Sequence, residues 1–328
     1  MIKKNIEEYC EALGLDTIGF ARCRKFSELE NFFKKRKELG LENEFEEHDI
    51  EKRINPNIYM KEGKTIISIA FPYIWDSSNN ENGFSKYTKG FDYHRVVKGY
   101  LDKVCEYIES LGGKAISLVD SNALPERYIA YLSGIGFIGK NNMIITEKYG
   151  SYVFLGEVIT DLEIECDSIR TFEEIQKYNK CSKCIKCIEK CPTKSITISR
   201  KNPNICTSYI TQKKELSKSE LKLLKGKIFG CDICQDSCPY NRGIEKSKIE
   251  LFRPLEFMNE SVEIYANINN KFFKENISKT SCGWRGKNVL KRNAIIEIAN
   301  RGEKIEKYKG NSPYIDEYIT KVMDKNES

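Results

Sequence analysis

The cysteines of this sequence carry its clearest chemical pattern. Eight of the thirteen cysteines lie between residues 181 and 238, and seven of them form two runs that each end at a proline. The first run, 181–192, reads C-x2-C-x2-C-x3-C-P, and the second, 231–239, reads C-x2-C-x3-C-P. The spacing of the first run is typical of thiolate ligands to a 4Fe–4S cluster. We therefore predict an iron–sulfur module in the middle of the chain.

The expected ligand assignment crosses between the two runs. In two-cluster bacterial ferredoxins, the cysteine before the proline of one run ligates the other cluster. The second run is one cysteine short, so we assign Cys206, the nearest unused cysteine, to its cluster. The predicted ligands are Cys181, Cys184, Cys187 and Cys238 for the first cluster, and Cys191, Cys206, Cys231 and Cys234 for the second.

Zinc binding and disulfide bonding are two other uses of these cysteines. Two zinc sites would also use eight cysteines, but zinc ligands usually come as separated C-x2-C pairs and not as a C-x2-C-x2-C triplet. A disulfide framework is disfavoured, because the N-terminus turns acidic before any apolar stretch and so lacks the pattern of a signal peptide. A reducing cytoplasm, which we expect as the location, suits clusters and free thiols. The other five cysteines are expected to be packing residues.

Composition is that of an ordinary globular protein, but the charge is uneven. The chain has 328 residues, of which 40% are hydrophobic and 31% are charged, and its net charge is +6. No apolar run approaches the ~20 residues of a membrane-spanning helix. Residues 271–310 contain eleven Lys and Arg against four Glu. This stretch is a candidate surface for a polyanion, or alternatively a solvated helix face.

Hydrophobic periodicity predicts an α+β fold for the first half of the chain. Helices are predicted at 5–13, 92–111, 288–300 and 313–323, with another from 125 to about 134, and strands at 15–22, 64–71, 115–119 and 151–160. No dinucleotide-binding or P-loop motif is present. We divide the chain into a catalytic domain at 1–165, the two-cluster domain at 166–245 and a helical region at 246–328.

Asp120 is the leading candidate for acid–base chemistry, because it stands at the exit of a predicted strand. The alternative is that its carboxylate caps the helix that follows. Gly134, Gly136 and Gly139 suggest a close backbone approach to a planar cofactor or a phosphate, or alternatively a run of turns. The only histidines are His48 and His94, and His94 is expected at a helix start.

Several further motifs accompany the cysteine runs. They are the segments 53–56, 87–94, 120–121, 126–127, 134–140, 154–157, 206–209, 229–235 and 290–294. With these motifs, the sequence resembles the epoxyqueuosine reductase (QueG) family over nearly its whole length. The resemblance implies a cobalamin-binding N-terminal domain of the nitroreductase-like and reductive-dehalogenase-like type, a two-cluster ferredoxin-like module and a short C-terminal HEAT-like helical-repeat domain.

The resemblance also implies an activity and its partners. The expected reaction is the reduction of epoxyqueuosine to queuosine at the wobble position of tRNA, the last step of queuosine biosynthesis. Cobalamin and two 4Fe–4S clusters are the expected cofactors, and a flavodoxin or ferredoxin is the expected electron donor to a monomeric enzyme. The alternatives are a related corrinoid iron–sulfur reductase of the dehalogenase type acting on a small molecule, a zinc-stabilised RNA-binding protein and a plain electron carrier.

The resemblance assigns roles to individual residues. Asp120 matches the proton donor, and we expect burial to raise the pKa of its carboxyl so that it is protonated at neutral pH. The expected cobalamin contacts are Arg53, Tyr93, Asp120, Lys140, Asn141, Asn142 and Ser208. The expected tRNA contacts are Arg285, Lys287, Lys291 and Arg292. His94 is a poor candidate for a cobalt ligand, because the D-x-H-x-x-G motif lacks its glycine here.

Overall fold

The computed structural model describes residues 2–76, 82–166, 170–198, 201–310 and 312–324. The strands are β1 (Ile18–Arg22), β2 (Thr65–Pro72), β3 (Ala115–Leu118), β4 (Phe137–Ile138), β5 (Ile144–Ile145) and β6 (Val153–Thr160). The helices are α1 (Ile2–Ala12), α2 (Glu30–Glu38), α3 (Ile50–Ile54), α4 (Tyr93–Ser110), α5 (Glu126–Leu132), α6 (Ile175–Tyr178), α7 (Lys186–Lys190), α8 (Thr207–Ile210), α9 (Lys218–Leu221), α10 (Ile233–Asp236), α11 (Val262–Ala266), α12 (Asn270–Glu275), α13 (Lys287–Asn300) and α14 (Pro313–Met323).

A four-stranded antiparallel sheet in the order β1-β2-β6-β3 is the centre of the N-terminal half. Its middle strands β2 and β6 pair along their full length, from Thr65 opposite Thr160 to Pro72 opposite Val153. Helices α1 and α4 cover one face of this sheet, and α5 covers the other. The mixed α+β class predicted from the sequence is therefore confirmed.

The sheet has an apolar core on each face, because successive side chains of a strand point in opposite directions. On β2, Ile67 and Ile69 pack towards α4, whereas Ile66 and Ala70 pack towards α5. All eight residues of β2 are buried. Burial on both sides explains why this strand has a nearly continuous apolar sequence instead of an alternating one.

The cysteine-rich region and the C-terminal helices share a third hydrophobic core. Ile210 and Phe229, from the region between and around the cysteine runs, pack with Tyr265 of α11, Ile295 of α13 and Ile319 of α14. Helix α13 lies between α11 and α14 and contacts both. The hydrophobic core therefore continues across residue 245. Within the described ranges, no helix has the length and apolar character that crossing a membrane requires.

One segment, residues 84–94, joins the second cysteine run to the start of α4. Phe84 forms a β-bridge with Phe229, and the Ser85 N–H donates to the Phe229 carbonyl at 2.8 Å. The Lys86 N–H donates to the Asp232 carboxylate at 2.8 Å, and the Ser85 hydroxyl donates to the same carboxylate. The other end of the segment becomes the first turn of α4. We call residues 84–94 the linking segment.

Candidate active site and iron–sulfur centres

Asp120 lies on the loop that follows β3, and its backbone is strained. Its φ of +44° is a left-handed conformation that non-glycine residues rarely adopt. The loop is held by Glu126, the first residue of α5, whose Oε1 accepts from the Asp120 N–H at 2.7 Å and from the Asn122 amide at 3.1 Å. Strain of this kind persists where the surroundings enforce it, often at functional sites.

The Asp120 carboxylate is held by the first two residues of α4. Its Oδ2 accepts a hydrogen bond from the Tyr93 hydroxyl and lies 3.1 Å from Nε2 of His94. The other ring nitrogen of His94 lies 2.8 Å from Oδ1 of Asp92, which also caps α4 by accepting from the His94 N–H. The suggestion that Asp120 caps α5 is wrong, since Pro125 is the N-cap and makes no side-chain hydrogen bond.

These contacts determine where the proton resides. Burial alone would raise the pKa of Asp120, but hydrogen bonds from His94 and Tyr93 outweigh it and hold the pKa below its usual 3.8. Burial would lower the pKa of His94, but the Asp120 and Asp92 carboxylates raise it to about 9. The expectation of a raised Asp120 pKa is therefore wrong for this arrangement. At neutral pH, His94 is a cation that carries the proton shared with Asp120.

The charged groups around Asp120 are accessible to solvent and yet partly enclosed by the protein. More than half of the Asp120 side chain, 53%, is accessible to solvent, and Arg127 is also exposed. Yet loss of hydration is the largest influence on the pKa of each of these two groups. Both observations fit side chains on a partly enclosed surface, which we call the Asp120 cavity. This Asp120 cavity also includes Tyr93, whose ring stacks on Phe154 with centroids 4.2 Å apart.

The structure brings together the four cysteines predicted to bind the first cluster. Cys181, Cys184, Cys187 and Cys238 line one pocket, together with Lys140 and Asn141. The Lys140 ammonium donates to the carbonyls of Ser182 at 2.7 Å and Cys184 at 3.1 Å, and so fixes the loop between the first two cysteines. The pre-proline cysteine of the second run thus reaches the pocket of the first run, as the crossed pattern predicts.

The predicted ligands of the second cluster are also neighbours. Burial and the nearby Cys206 raise the pKa of Cys231 to about 11. Burial raises the pKa of Cys234 to about 12, with Cys231, Cys206 and Cys187 adding to it and Lys201 opposing it. The influence of Cys187 shows that the two cysteine sites are adjacent. Cys191 is buried at the end of α7, and α7 packs against α10, which carries Cys234.

A zinc site and a cubane cluster need their sulfurs at different spacings. Zinc holds four sulfurs about 2.3 Å from a single point. In the part of the chain that the structure describes, no three Cys, His, Asp or Glu side chains converge closely enough to bind one metal ion. A cubane cluster spreads its four ligands over four corners.

Two family models match this chain. The model described as "4Fe-4S double cluster binding domain" matches residues 180–241, which contain all eight predicted ligands. The model described as "Epoxyqueuosine reductase QueG, DUF1730" matches residues 53–121. The epoxyqueuosine reductase of Lactococcus garvieae is 31% identical over 92% of this chain and 88% of its own length. That of Bacillus subtilis is 33% identical over 91% of this chain and 79% of its own length.

The chain belongs to the epoxyqueuosine reductase family. Solved structures of the family agree with the fold. An epoxyqueuosine reductase crystallised with an epoxyqueuosine-modified tRNA-Tyr stem loop has a TM-score of 0.89 at 31% identity, covering 98% of this chain and 90% of that one. A Bacillus subtilis structure has its catalytic aspartate loop swung out of the active site, with a TM-score of 0.87 at 30% identity over 98% of this chain and 90% of that one.

The structure distributes the expected cobalamin contacts over different places. Tyr93 and Asp120 lie together at the Asp120 cavity. Arg53 pairs with Glu42 at 3.0 Å and Glu46 at 3.2 Å and lies 3.8 Å from the centre of the Phe33 ring, so its guanidinium is engaged within the protein. These three partners make Arg53 an anchor for residues 42–53.

The remaining expected contacts lie near the cysteines. Lys140 and Asn141 line the pocket of the first run, and Asn142 occupies a turn with a φ of +64° between β4 and β5. Ser208 lies on α8, two residues after Cys206. Gly136 makes its close approach to the β4–β5 hairpin, where an added Cβ would lie 2.7 Å from the Ile145 carbonyl oxygen. This contact favours the turn interpretation of the glycines.

Two of the four expected tRNA contacts are wrong, because their side chains are buried. Arg292 is 0% exposed and Lys291 is 6% exposed. The Arg292 guanidinium donates to the carbonyls of Lys213 and Lys214 and to the Tyr314 hydroxyl at 2.7–2.8 Å. Helix α13 is covered on both sides by its neighbours, so these basic residues cannot face a phosphate backbone.

The other two expected contacts are half-buried and already bonded. The Arg285 Nε donates to the Gln212 carbonyl at 2.5 Å, and the Lys287 ammonium donates to the Asn270 side chain at 2.5 Å. Beside Arg285, Trp284 is 58% exposed, and its ring lies 5.4 Å from that of the exposed Phe45. This aromatic pair was not among the contacts predicted from the sequence. A tryptophan next to basic residues was its only sequence signal.

Proposed function

We propose that this protein reduces epoxyqueuosine in tRNA to queuosine, and that the epoxide oxygen leaves as water. The observation that carries the proposal is the linking segment, residues 84–94. It joins a proton-holding site at Asp120 to the second cysteine run through the Phe84–Phe229 bridge and the Asp232 hydrogen bonds. Reductive removal of an oxygen needs electrons and protons at the same place, and this segment ties their sources together. The relatives' common activity disfavours a small-molecule substrate.

We assign cobalamin to the Asp120 cavity. The cavity is open to solvent and combines charged groups with the stacked rings of Tyr93 and Phe154, which fits a large cofactor of mixed polarity. When bound there, cobalamin would supply a strongly reducing cobalt centre. The surrounding domain would then be of the nitroreductase-like type that also occurs in reductive dehalogenases. Electrons would come from a flavodoxin or ferredoxin through clusters at the two cysteine sites.

Asp120 and His94 handle the proton in this proposal. An alkoxide leaves poorly, so the epoxide oxygen must be protonated as its bond breaks, and a positioned acid contributes ~10²–10⁴-fold to such a step. His94 holds the proton at neutral pH, and its Nε2 lies 3.1 Å from the Asp120 carboxylate. Tyr93 donates to the same oxygen and keeps it oriented. Asp120 therefore delivers a proton that His94 stores.

We assign tRNA binding to the exposed Lys and Arg residues of the stretch 271–310, without the buried Lys291 and Arg292, and to the aromatic pair Phe45 and Trp284. Exposed rings can stack unpaired bases, and Arg285 lies over both rings at 5.1 and 4.5 Å. The modified base would be flipped into the Asp120 cavity, as base-modifying enzymes require. In this proposal the C-terminal helices are a short HEAT-like unit, and the enzyme is a cytoplasmic monomer.

The test is anaerobic reconstitution with iron, sulfide and cobalamin, followed by reaction with a strong reductant and tRNA containing epoxyqueuosine. Mass analysis of the nucleoside should show the loss of one oxygen. Asp120→Asn should bind both cofactors and lose turnover by ~10²-fold or more, because the amide cannot relay the proton. Glu163→Gln, an exposed acid remote in sequence from the site, is the matched control. Unchanged nucleoside mass with fully loaded wild-type enzyme would refute the proposal.

A further inference from the structure

Glu157 is a buried acid without a role in the chemistry described so far. Only 1% of it is exposed, and neither carboxyl oxygen has a hydrogen-bond partner among the described residues. Alternation along β6 places Glu157 on the same face as Leu155 and Ile159, towards α5. Across the sheet it pairs with Ser68 of β2, whose buried hydroxyl also has no partner within the described ranges.

Glu157 is the inner end of a row of three carboxyl groups. On β3, Leu118 pairs with Glu157, and Asp120 follows two residues later on the loop after the strand. Glu126 begins α5, the helix that covers this face, and accepts the hydrogen bond from the Asp120 N–H. Glu157, Glu126 and Asp120 therefore run from the core of the protein to the Asp120 cavity. We call them the carboxyl row.

The surroundings of the carboxyl row raise the pKa of its two inner members, Glu157 and Glu126. Burial, with the charges of Glu126 and Asp120, raises the pKa of Glu157 well above its usual 4.5. Burial and the charge of Asp120 raise the pKa of Glu126 to about 7. Arg127, next along α5, opposes the rise in the Glu126 pKa and adds to the lowering of the Asp120 pKa. A carboxylate without hydrogen-bond donors is unfavourable in an apolar core, so Glu157 is a neutral acid at pH 7.

We infer that Glu157 is a proton reserve for the reaction and that Glu126 passes its proton to the Asp120 cavity. The inference rests on the proposed function, in which removal of one oxygen as water consumes two electrons and two protons. His94 supplies one proton. For the second, the O–H bond of Glu157 breaks and one bridging water passes that proton to Glu126, which releases its own to Asp120, and the product water carries it away.

The electrons of this step come from the low-potential donor, and solvent reprotonates Glu157 between turnovers. Glu157 and Glu126 act through Asp120 and do not touch the substrate, so they are positioning residues for the proton. Their effect should therefore appear in proton-dependent measurements and not in tRNA affinity or cofactor content.

The first test asks whether Glu157 is protonated, and it needs no turnover. Infrared spectra of the oxidised holoprotein at pH 7 should contain the C=O band of a buried protonated carboxyl. Glu157→Gln should remove this band, because the amide has the same shape without the acid group, and Glu163→Gln should keep it. A spectrum unchanged by Glu157→Gln would overturn the inference, whatever the enzyme's activity.

The second test measures the single-turnover rate of epoxyqueuosine reduction. We expect Glu157→Gln to slow it roughly 10-fold or more, with normal iron and cobalamin content and normal tRNA affinity. Formic acid in a formate buffer should restore the rate by supplying the missing proton. An undiminished rate, or a slow rate that formic acid does not restore, would refute the relay. Inactive wild-type enzyme would instead refute the proposed function, while the infrared result would stand.

Glu126→Gln provides an independent test of the relay if Glu157→Gln does not fold. Glu126 lies at the first turn of α5, where an amide can still accept from the Asp120 N–H. The wild-type rate should change with pH near 7, where Glu126 titrates, and this dependence should vanish in Glu126→Gln. A variant that keeps the wild-type rate and pH profile would overturn the role of the carboxyl row.

Discussion

Replacing Arg292 by methionine should destabilise the protein and leave tRNA binding unchanged. Arg292 is fully buried in α13, and its guanidinium bonds to the carbonyls of Lys213 and Lys214 and to the Tyr314 hydroxyl. Its charge also lies 5.1 Å from the centre of the Tyr318 ring. These contacts join α13 and α14 to the loop after α8. The role of Arg292 is therefore to hold elements together and not to bind phosphate.

The contacts of Arg292 determine the size of the effect. In the methionine variant, the Lys214 carbonyl still accepts a hydrogen bond from the Tyr314 hydroxyl, which lies 2.6 Å away. The Lys213 carbonyl loses the charged guanidinium donor. A hydrogen bond to a charged group contributes about 1.5–3 kcal/mol, and a desolvated cation–π contact about 2 kcal/mol. Relief of the guanidinium's desolvation offsets part of this loss. We expect a net loss of about 3 kcal/mol in the free energy of unfolding.

Calorimetry of the anaerobic holoprotein measures this loss as a change in Tm. An unfolding entropy of about 2.1 cal/mol/K per residue gives about 0.7 kcal/mol/K for the whole chain, so Tm should fall by about 4 °C. The salt dependence of stem-loop binding should not change. Lys287→Met, on the same helix but half-buried, is the control for the change in Tm. An unchanged Tm together with a salt slope reduced by about 0.7 would show that Arg292 contacts phosphate and that its burial was misread.

Two further predictions concern the proton and the tRNA. Wild-type activity should fall as pH rises through about 9, where His94 loses its proton. His94→Gln should lower the rate ~10²-fold and remove that limb of the pH–rate profile; a normal profile would exclude His94 as the proton store. Trp284→Ala should weaken stem-loop binding about 10-fold without changing the salt slope, because stacking contributes ~1–3 kcal/mol per base. Full affinity in the alanine variant would remove Trp284 from the interface.

Local sequence signals predicted the elements that position the site. The helix expected at 92–111 is α4, Tyr93–Ser110, because Asp92 caps its start and Gly112, with a φ of +87°, follows its end. The crossed cysteine pattern brought Cys238 to the pocket of the first run, since proline directs the preceding cysteine away from its own run. Signals of this kind lie within a few residues of the feature that they determine.

The predictions from the sequence were wrong for properties that depend on residues distant in the chain. The pKa of Asp120 is set by His94, which is 26 residues earlier in the chain, and burial alone gave the opposite direction. The polar residues of α13 suggested an exposed face, but α11 and α14 enclose the helix and bury Arg292. Periodicity identifies a helix, but it does not reveal how many partners pack around it.

Through the linking segment, the geometry of the proton site at Asp120 depends on an intact second cysteine run. Ser85 and Lys86 donate hydrogen bonds to the loop at Asp232, which lies between two predicted cluster ligands. At the other end of the segment, Tyr93 and His94 hold the Asp120 carboxylate. Oxygen damage that loosens this loop would therefore also release the hold on the acid. An air-exposed sample should lose electron delivery and acid catalysis in a single event, and adding a chemical reductant alone should not revive it.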